Sequence, residues 1–238
     1  MSTLKQPKGY VIYQGKSEIN GGNIVAVITM NSKNIKTGDM ASMWILNADI
    51  EPTKASQQGL DESVCGGCVH RHFNNGSCYV VLFQAPLQVY KAWKNGNYPM
   101  VTDLSIFKDM NVRFGAYGDP YAIPVNILST LKSYVKNNTS YTHQWQNGSN
   151  ELKAISMASV DNIIEAKQAH DAGWRTFRVT NDLDTLLSNE IICPNTTHGI
   201  KCVDCKLCSG YSKAKNIVIG VHGAKSKKFI EENVLEAV

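Results

Sequence analysis

The apolar residues of this chain change their rhythm part-way along it. Up to residue 47 they come as short runs bounded by turn residues: GYVIYQG and GNIVAVITM, joined at EINGG, and then MASMWILN. Runs of this length, rich in β-branched residues, predict strands, the first two as a connected pair. A turn-rich region follows from 48 to 80, and beyond it the pattern alternates. APLQVYKAWKNG predicts a helix ended by Gly96, and NVRFGAYGDP a strand running into a glycine-rich turn. In IPVNILSTLKSYVKN, Pro124 suits a first helical turn, and Ile127, Leu128, Leu131 and Val135 recur at helical spacing. YTHQW predicts a short strand, QNGSNE a loop and ELKAISMAS another strand. DNIIEAKQAHDAG predicts a helix with Asp161 as N-cap and Gly173 as terminator. The strands RTFRVTND, EIICP and KNIVIGVHG follow, and KKFIEENVLEAV predicts a terminal helix.

Strands that alternate with helices imply an α/β fold with a mostly parallel sheet. The alternation fits an open sheet or a partial or modified (β/α) barrel, entered through a β-rich N-terminal segment. We expect a single domain over 1–238: the β-rich segment 1–47, a first cysteine loop at 48–80, alternating α/β units over 81–190 and a second cysteine site at 191–210. The later strands end in GAYGDP, HQW, SMASVD, RVTND and GVHG. In parallel sheets and barrels the ligand site lies at the carboxyl ends of the strands. That rule places Asp119, His143, Ser156, Asp182 and His222 on one rim, with Asp119, His143, Asp182 and His222 as candidates for catalytic or substrate-side roles.

Composition narrows the chemistry. Hydrophobic residues make up 43% of the chain, enough to bury a core without cross-links. Seven cysteines, an odd number, do not make a complete disulfide framework. The N-terminal stretch MSTLKQPKGYVIYQGKSEING has no apolar run fit for a signal peptide, and IVAVITM is too short to span a bilayer. The expectation is a cytoplasmic protein without a membrane partner, so Asn138, Asn147 and Asn195, each in an Asn-x-Ser/Thr triplet, read as loop composition. In a reducing compartment, clustered thiols point to metal or redox chemistry.

All seven cysteines fall in two short segments. The second, CPNTTHGIKCVDCKLC, has the spacing C-P-x7-C-x2-C-x2-C. Its run Cys202, Cys205, Cys208 with the remote, proline-backed Cys193 matches the way ferredoxin-type clusters gather four thiolates. A zinc ion also accepts four thiolates. The first, CGGCVHRHFNNGSC, has Cys65, Cys68 and Cys78, with Gly66 and Gly67 free to fold tightly around a centre. Three thiolates hold three irons of a four-iron cluster and leave one open; alternatively His70 or His72 completes a Cys3His zinc site. Three plus four accounts for every cysteine, and the expected cofactors are two iron–sulfur clusters, of the 4Fe–4S kind, with zinc as the alternative.

Two resemblances follow from these motifs. Lys36-Thr37-Gly38 before a strand, the GSCYV of Gly76 to Val80, a helix near Trp93, and CP…CxxCxxC before VIGVHG resemble a family of uncharacterised bacteriophage-encoded proteins, over most of residues 30 to 225. That resemblance implies a host-cytoplasmic location and supports the metal reading without naming an activity. The order of cysteine loop, GAYGDP and C-terminal cysteines is similar to radical SAM enzymes, although those use C-x3-C-x2-C where this chain has C-x2-C-x9-C. It implies S-adenosylmethionine on an open cluster at Cys65, Cys68 and Cys78, with Gly118 and Asp119 at its methionine amino group, an auxiliary cluster at Cys193, Cys202, Cys205 and Cys208, and catalysis on a nucleotide or nucleic acid.

The net charge of +4 is mild, but between Lys201 and Lys228 the only acid is Asp204. Lys213, Lys215, Lys225, Lys227 and Lys228 are therefore candidates for a nucleotide or nucleic-acid partner. The alternative to the iron–sulfur reading is accordingly a non-enzymatic, zinc- or cluster-stabilised nucleic-acid-binding module.

Overall fold

The computed structural model describes residues 6–30, 34–210 and 214–229. Among them, the apolar runs at the start of the chain form β1 (Gly9–Lys16), β2 (Asn23–Thr29) and β3 (Ala41–Asn47), paired antiparallel in sequence order. Ile24 to Ile28 are all fully buried, because β2 is covered on both faces; this explains an unbroken run where a half-exposed strand would alternate. From β3 onward the pairing turns parallel.

Two short helices, α1 (Pro52–Gln57) and α2 (Glu62–Cys65), lead into the first cysteine loop, and α3 (Ala85–Lys94) leads out of it. Then come β4 (Asn111–Tyr117), α4 (Val125–Tyr134), β5 (Asn137–Thr142), α5 (Asn150–Lys153), β6 (Met157–Val160), α6 (Ile163–Asp171), β7 (Thr176–Thr180) and β8 (Glu190–Ile192). The second cysteine segment holds α7 (Pro194–His198) and α8 (Cys202–Cys205), before β9 (Asn216–Gly220). The described strands form one nine-stranded sheet in the order β1-β2-β3-β4-β5-β6-β7-β9-β8. The sheet is mixed and mostly parallel, as the alternation implied. β1 and β8 are its two ends, and no ladder joins them among the described residues.

Three sequence expectations move. The strand placed at YTHQW lies earlier, at Asn137–Thr142, and α4 stops at Tyr134 to make room for it. That strand is NNTSYT, and its buried positions are polar. The Asn138 side-chain amide donates to the Ile155 carbonyl at 2.9 Å and Ser140 is bonded to Ser156 at 2.6 Å, so apolar periodicity could not mark it. ELKAISMAS is not one strand: α5 takes its start and β6 begins at Met157. The N-cap of α6 is Asn162, whose side chain accepts the Glu165 N–H at 2.8 Å, and this leaves the Asp161 side chain for other work. The predicted terminal helix is described only to Phe229, and its remainder lies outside the described residues.

β8 is tied to β7 through side chains across the intervening β9. Arg178 on β7 donates from Nε and Nη2 to the two carboxylate oxygens of Glu190 on β8, at 2.9 and 2.7 Å. Both side chains are almost wholly buried, at 2% and 0% exposed. Removing one partner leaves the other charge buried and uncompensated, which costs more than the pair itself contributes. Arg178→Met is therefore expected to lower unfolding free energy by about 3–5 kcal/mol, read from urea denaturation.

Candidate metal centre at the carboxyl edge of the sheet

β5 and β6 are parallel neighbours, so their carboxyl ends open on the same edge of the sheet. The residue after β5 is His143 and the residue after β6 is Asp161. A third group comes from the first cysteine loop. His70 places Nε2 2.8 Å from an Asp161 carboxylate oxygen, and its ring meets that of His143 edge-on at 5.8 Å. The ligand atoms of His70, His143 and Asp161 all lie within 4.8 Å of one another.

The loop is built to hold His70 there. Arg71, which is buried, donates to the Asp61 carboxylate through Nε and Nη2, at 3.1 and 2.5 Å, and to the carbonyls of Gly59 and Gly66 at 2.7 and 3.2 Å. Gly66 has φ +58°, and a Cβ there would lie 2.5 Å from the Gln144 side chain. Gly76 has no room for a side chain either: a Cβ would meet the backbone of Val69 and His70 at 2.5 Å. That close approach lets the Cys78 N–H reach the His70 carbonyl at 2.9 Å, and it brings the Ser77 hydroxyl to His70 Nδ1 at 2.7 Å. An outer hydrogen bond of this kind fixes the ring orientation of a metal-binding histidine, here with Nε2 towards Asp161. Phe229 stacks on the other side of the imidazole, 5.4 Å away.

Cys68 joins the group from the same loop. Its sulfur is hydrogen-bonded to the His143 side chain and to the His70 backbone. Burial alone would push the thiol up, but the His143 charge and hydrogen bond outweigh it and hold Cys68 below its ordinary value. Burial likewise works against a charged His143, yet Cys68, Asp161 and Asp119 raise that imidazole to about 10. Among the described residues the converging ligand atoms come from two imidazoles and one carboxylate, with the Cys68 thiol beside them on His143. The three can hold a single ion that favours mixed nitrogen and oxygen donors.

The other sequence candidates are placed elsewhere or used differently. Asp119 is a positioning group: one carboxylate oxygen accepts the His143 N–H at 2.8 Å, the other the Tyr121 N–H at 2.9 Å. Both oxygens are thus engaged, and a Cβ on Gly118 would lie 2.7 Å from Ile45, so neither residue is disposed to meet a methionine amino group. Ser156 precedes β6 and is buried against Ser140, at the wrong end of that strand; Asp161 stands at its carboxyl end. Asp182 is exposed and caps its own turn, accepting the N–H groups of Asp184 and Thr185. His222 follows β9 and stacks on Tyr79 at 5.3 Å. His72 bonds the Val80 carbonyl and Lys225 and takes no part in the cluster.

The two-cluster expectation is overturned. All seven cysteines are free thiols, and His70, His143 and Asp161 are the one group of potential ligands among the described residues that converges within 4.8 Å. No three sulfurs of either set do so. The sulfurs are occupied otherwise. Cys65 packs on the core and is hydrogen-bonded to Tyr117, while Cys68 turns to His143. Burial pushes Cys78 up to about 11. In the second segment Cys193, Cys202, Cys205 and Cys208 border one small basin. There Cys208 is buried beside Met157 and Ile217, is bonded to Tyr141, and burial raises it to about 12. Buried cysteines of this kind behave as small hydrophobes. The iron–sulfur, S-adenosylmethionine and all-cysteine zinc expectations fall with that geometry.

No family model, curated protein or solved structure matches the chain, so the likenesses to radical SAM enzymes and to phage-encoded proteins find no support there. No helix of the described residues is long and apolar enough to cross a membrane.

The His70–Asp161 pair gives the metal-free protein a specific pH dependence. Burial opposes the charge on Asp161, but His70 holds its carboxyl below 3.8; burial also opposes a charged His70, but Asp161 raises it above 6.5. The carboxylate contribution is lost as pH falls through the lowered value, and the imidazolium contribution as pH rises through the raised one. In a chelator, Asp161→Asn is expected to destabilise by about 1–3 kcal/mol. Urea denaturation should find the loss largest between pH 3.8 and 6.5 and smaller on both sides.

Proposed function

We propose that this protein is a non-enzymatic nucleic-acid-binding module stabilised by one ion of the zinc type, held by His70, His143 and Asp161 with the Cys68 thiolate as fourth donor. The observation that carries the reading is the convergence of the three side chains within 4.8 Å. Two further features support a cation. The second carboxylate oxygen of Asp161 is buried with no hydrogen-bond partner among the described residues. Buried carboxylate oxygens are ordinarily paired, and a coordinated ion satisfies this one. Ser77 already holds the far nitrogen of His70.

Closure distinguishes a structural from a catalytic role. The His70 and Asp161 side chains are only 13% and 15% exposed. With Cys68 as its fourth donor the ion would have a complete tetrahedron and no position for substrate or water. The ion then fastens the first cysteine loop to the ends of β5 and β6.

The nucleic-acid partner is supported by the basic surface. Lys201, Lys206, Lys215 and Lys227 are exposed, Lys225 and Lys228 are partly exposed, and Lys213 lies outside the described residues. We further read the sheet as a partial (β/α) barrel. From β3 to β7 the strands follow in chain order without a reversal, as right-handed crossovers on one face produce and as a doubly wound sheet does not.

Zinc content decides the metal reading. His143→Ala and Asp161→Ala are each expected to reduce the zinc bound per chain by about one ion. Ser77→Ala should keep the ion but weaken its affinity by about 10- to 100-fold, measured by competition with a chromophoric chelator. Unchanged zinc content in both ligand variants would overturn the site. In the cobalt form, Cys68→Ser should abolish sulfur-to-cobalt charge transfer.

A further inference from the structure

We infer that Tyr79 and His222, flanked by Arg113, Lys36 and Lys225, form a platform on which a base of single-stranded nucleic acid stacks while its phosphates meet the cations. This rests on the nucleic-acid reading above and names the strand form and the residues. It uses none of the metal ligands.

Tyr79 follows Cys78 out of the first cysteine loop, and His222 follows β9. Their rings stack at 5.3 Å with an interplanar angle of 28°. Tyr79 nevertheless remains 48% exposed, an unusual state for a large aromatic already paired with another ring. Gly223 passes so close that a Cβ there would lie 3.0 Å from Tyr79, which fixes the ring from the β9 side.

The surrounding charge is positive. Arg113, on β4, donates from Nη2 to the Tyr79 hydroxyl at 2.5 Å. Its electrostatic neighbours are Tyr79, Tyr141 and Cys202, with no carboxylate among them. Lys36 is near enough to His222 to add to burial in holding that imidazole neutral. Lys225 contacts His72 Nδ1 at 2.6 Å, and Lys228 donates to the Asn75 carbonyl at 2.9 Å, so both ammonium groups are held on the loop that carries Tyr79. Among the described residues none of these four cations is in an ion pair, although Asp39 and Asp204 lie exposed on the neighbouring turns.

Cations without carboxylate partners beside an exposed ring stack match the chemistry of a strand with unstacked bases. A duplex keeps its bases stacked on one another and offers such a platform only its backbone. The ligand is therefore single-stranded, read by stacking and charge.

The test is fluorescence anisotropy of the zinc-loaded full chain with a labelled oligothymidylate and with a duplex of equal length, across a salt series. The single strand is expected to bind more tightly. Tyr79→Ala should weaken its binding by at least about fivefold and leave duplex binding unchanged, whereas Tyr79→Phe should retain most of it. Arg113→Met should reduce the slope of log affinity against log salt by about 0.7, one phosphate contact on a single strand. Zinc content and the unfolding midpoint confirm that each variant is folded; if Tyr79→Ala is not, His222→Ala carries the same comparison. Equal binding of duplex and single strand, or wild-type binding by the folded platform variants, would overturn the inference and leave the module reading standing. No binding of either nucleic acid at low salt would overturn both.

Discussion

One carboxylate, Asp161, joins two parts of the chain that no described backbone ladder connects. It sits at the carboxyl end of β6 and holds an imidazole 2.8 Å away on a loop whose own regular structure amounts to a few short turns. Arg71 gives the loop its shape from within, by binding Asp61 and two carbonyls, but that clamp acts inside the segment 59–71 and at α2. The attachment of the loop to the sheet edge depends on contacts from outside it. They include the His70–Asp161 pair, the Asp119 N–H bonded to the Val64 carbonyl at 2.6 Å, the Gln144 side chain at the Cys65 carbonyl, the Cys68–His143 bond and the Ser17 hydroxyl on the Ser63 carbonyl. Asp161 directly follows β6, and Asp119 and Gln144 stand two residues beyond β4 and β5, where parallel pairing sets their position.

The same geometry explains why the cysteines mislead. A C-x2-C pair around two glycines is a folding device as well as a ligand motif. Here Gly66 turns the chain against Gln144, sending the Cys65 sulfur towards Tyr117 and the core and the Cys68 sulfur towards His143. The electrostatics separate the thiols further. Burial raises Cys65, Cys78, Cys202 and Cys208, whereas Cys68 alone among the cysteines with a resolved shift is lowered, because an imidazole faces it. What sets a thiol apart is its neighbour in space, and spacing along the chain cannot report that neighbour.

Much of the fold was legible, and the reasons for the rest are local. The buried runs of β2 and β3 and the alternation beyond them announced a mostly parallel sheet. β5 is displaced because its buried residues Asn138, Thr139, Ser140 and Thr142 are polar, and the hydrogen bonds made by Asn138, Ser140 and Thr142 are ones that no apolar pattern reveals. The rule that sites gather at carboxyl strand ends points to His143, which the structure places beside His70 and Asp161. It also selected the segment SMASVD, but Ser156 was taken from it in place of Asp161. That choice followed from two small shifts: β6 starts later than the apolar run suggested, and Asn162 caps α6, freeing the aspartate before it. A strict reading of the strand end would have named Asp161. His70 was weighed only as a partner for the cysteines, since its meeting with β6 is a long-range contact.

The loop also connects the centre to the surface. His70, Ser77, Cys78 and Tyr79 lie on one short path: Ser77 bonds His70, the Cys78 N–H bonds its carbonyl, and Tyr79 emerges next to stack on His222. Fixing His70 therefore restricts where Tyr79 leaves the loop, because Gly76 holds the two arms at backbone contact. An ion at His70, His143 and Asp161, as proposed, would order this path from its buried end, while His222 and Gly223 receive it at the exposed end. Ordering a binding loop before the ligand arrives removes part of the entropy lost on association. On the proposed reading a metal held at this buried end would assist recognition without touching the ligand, acting as an anchor for the loop.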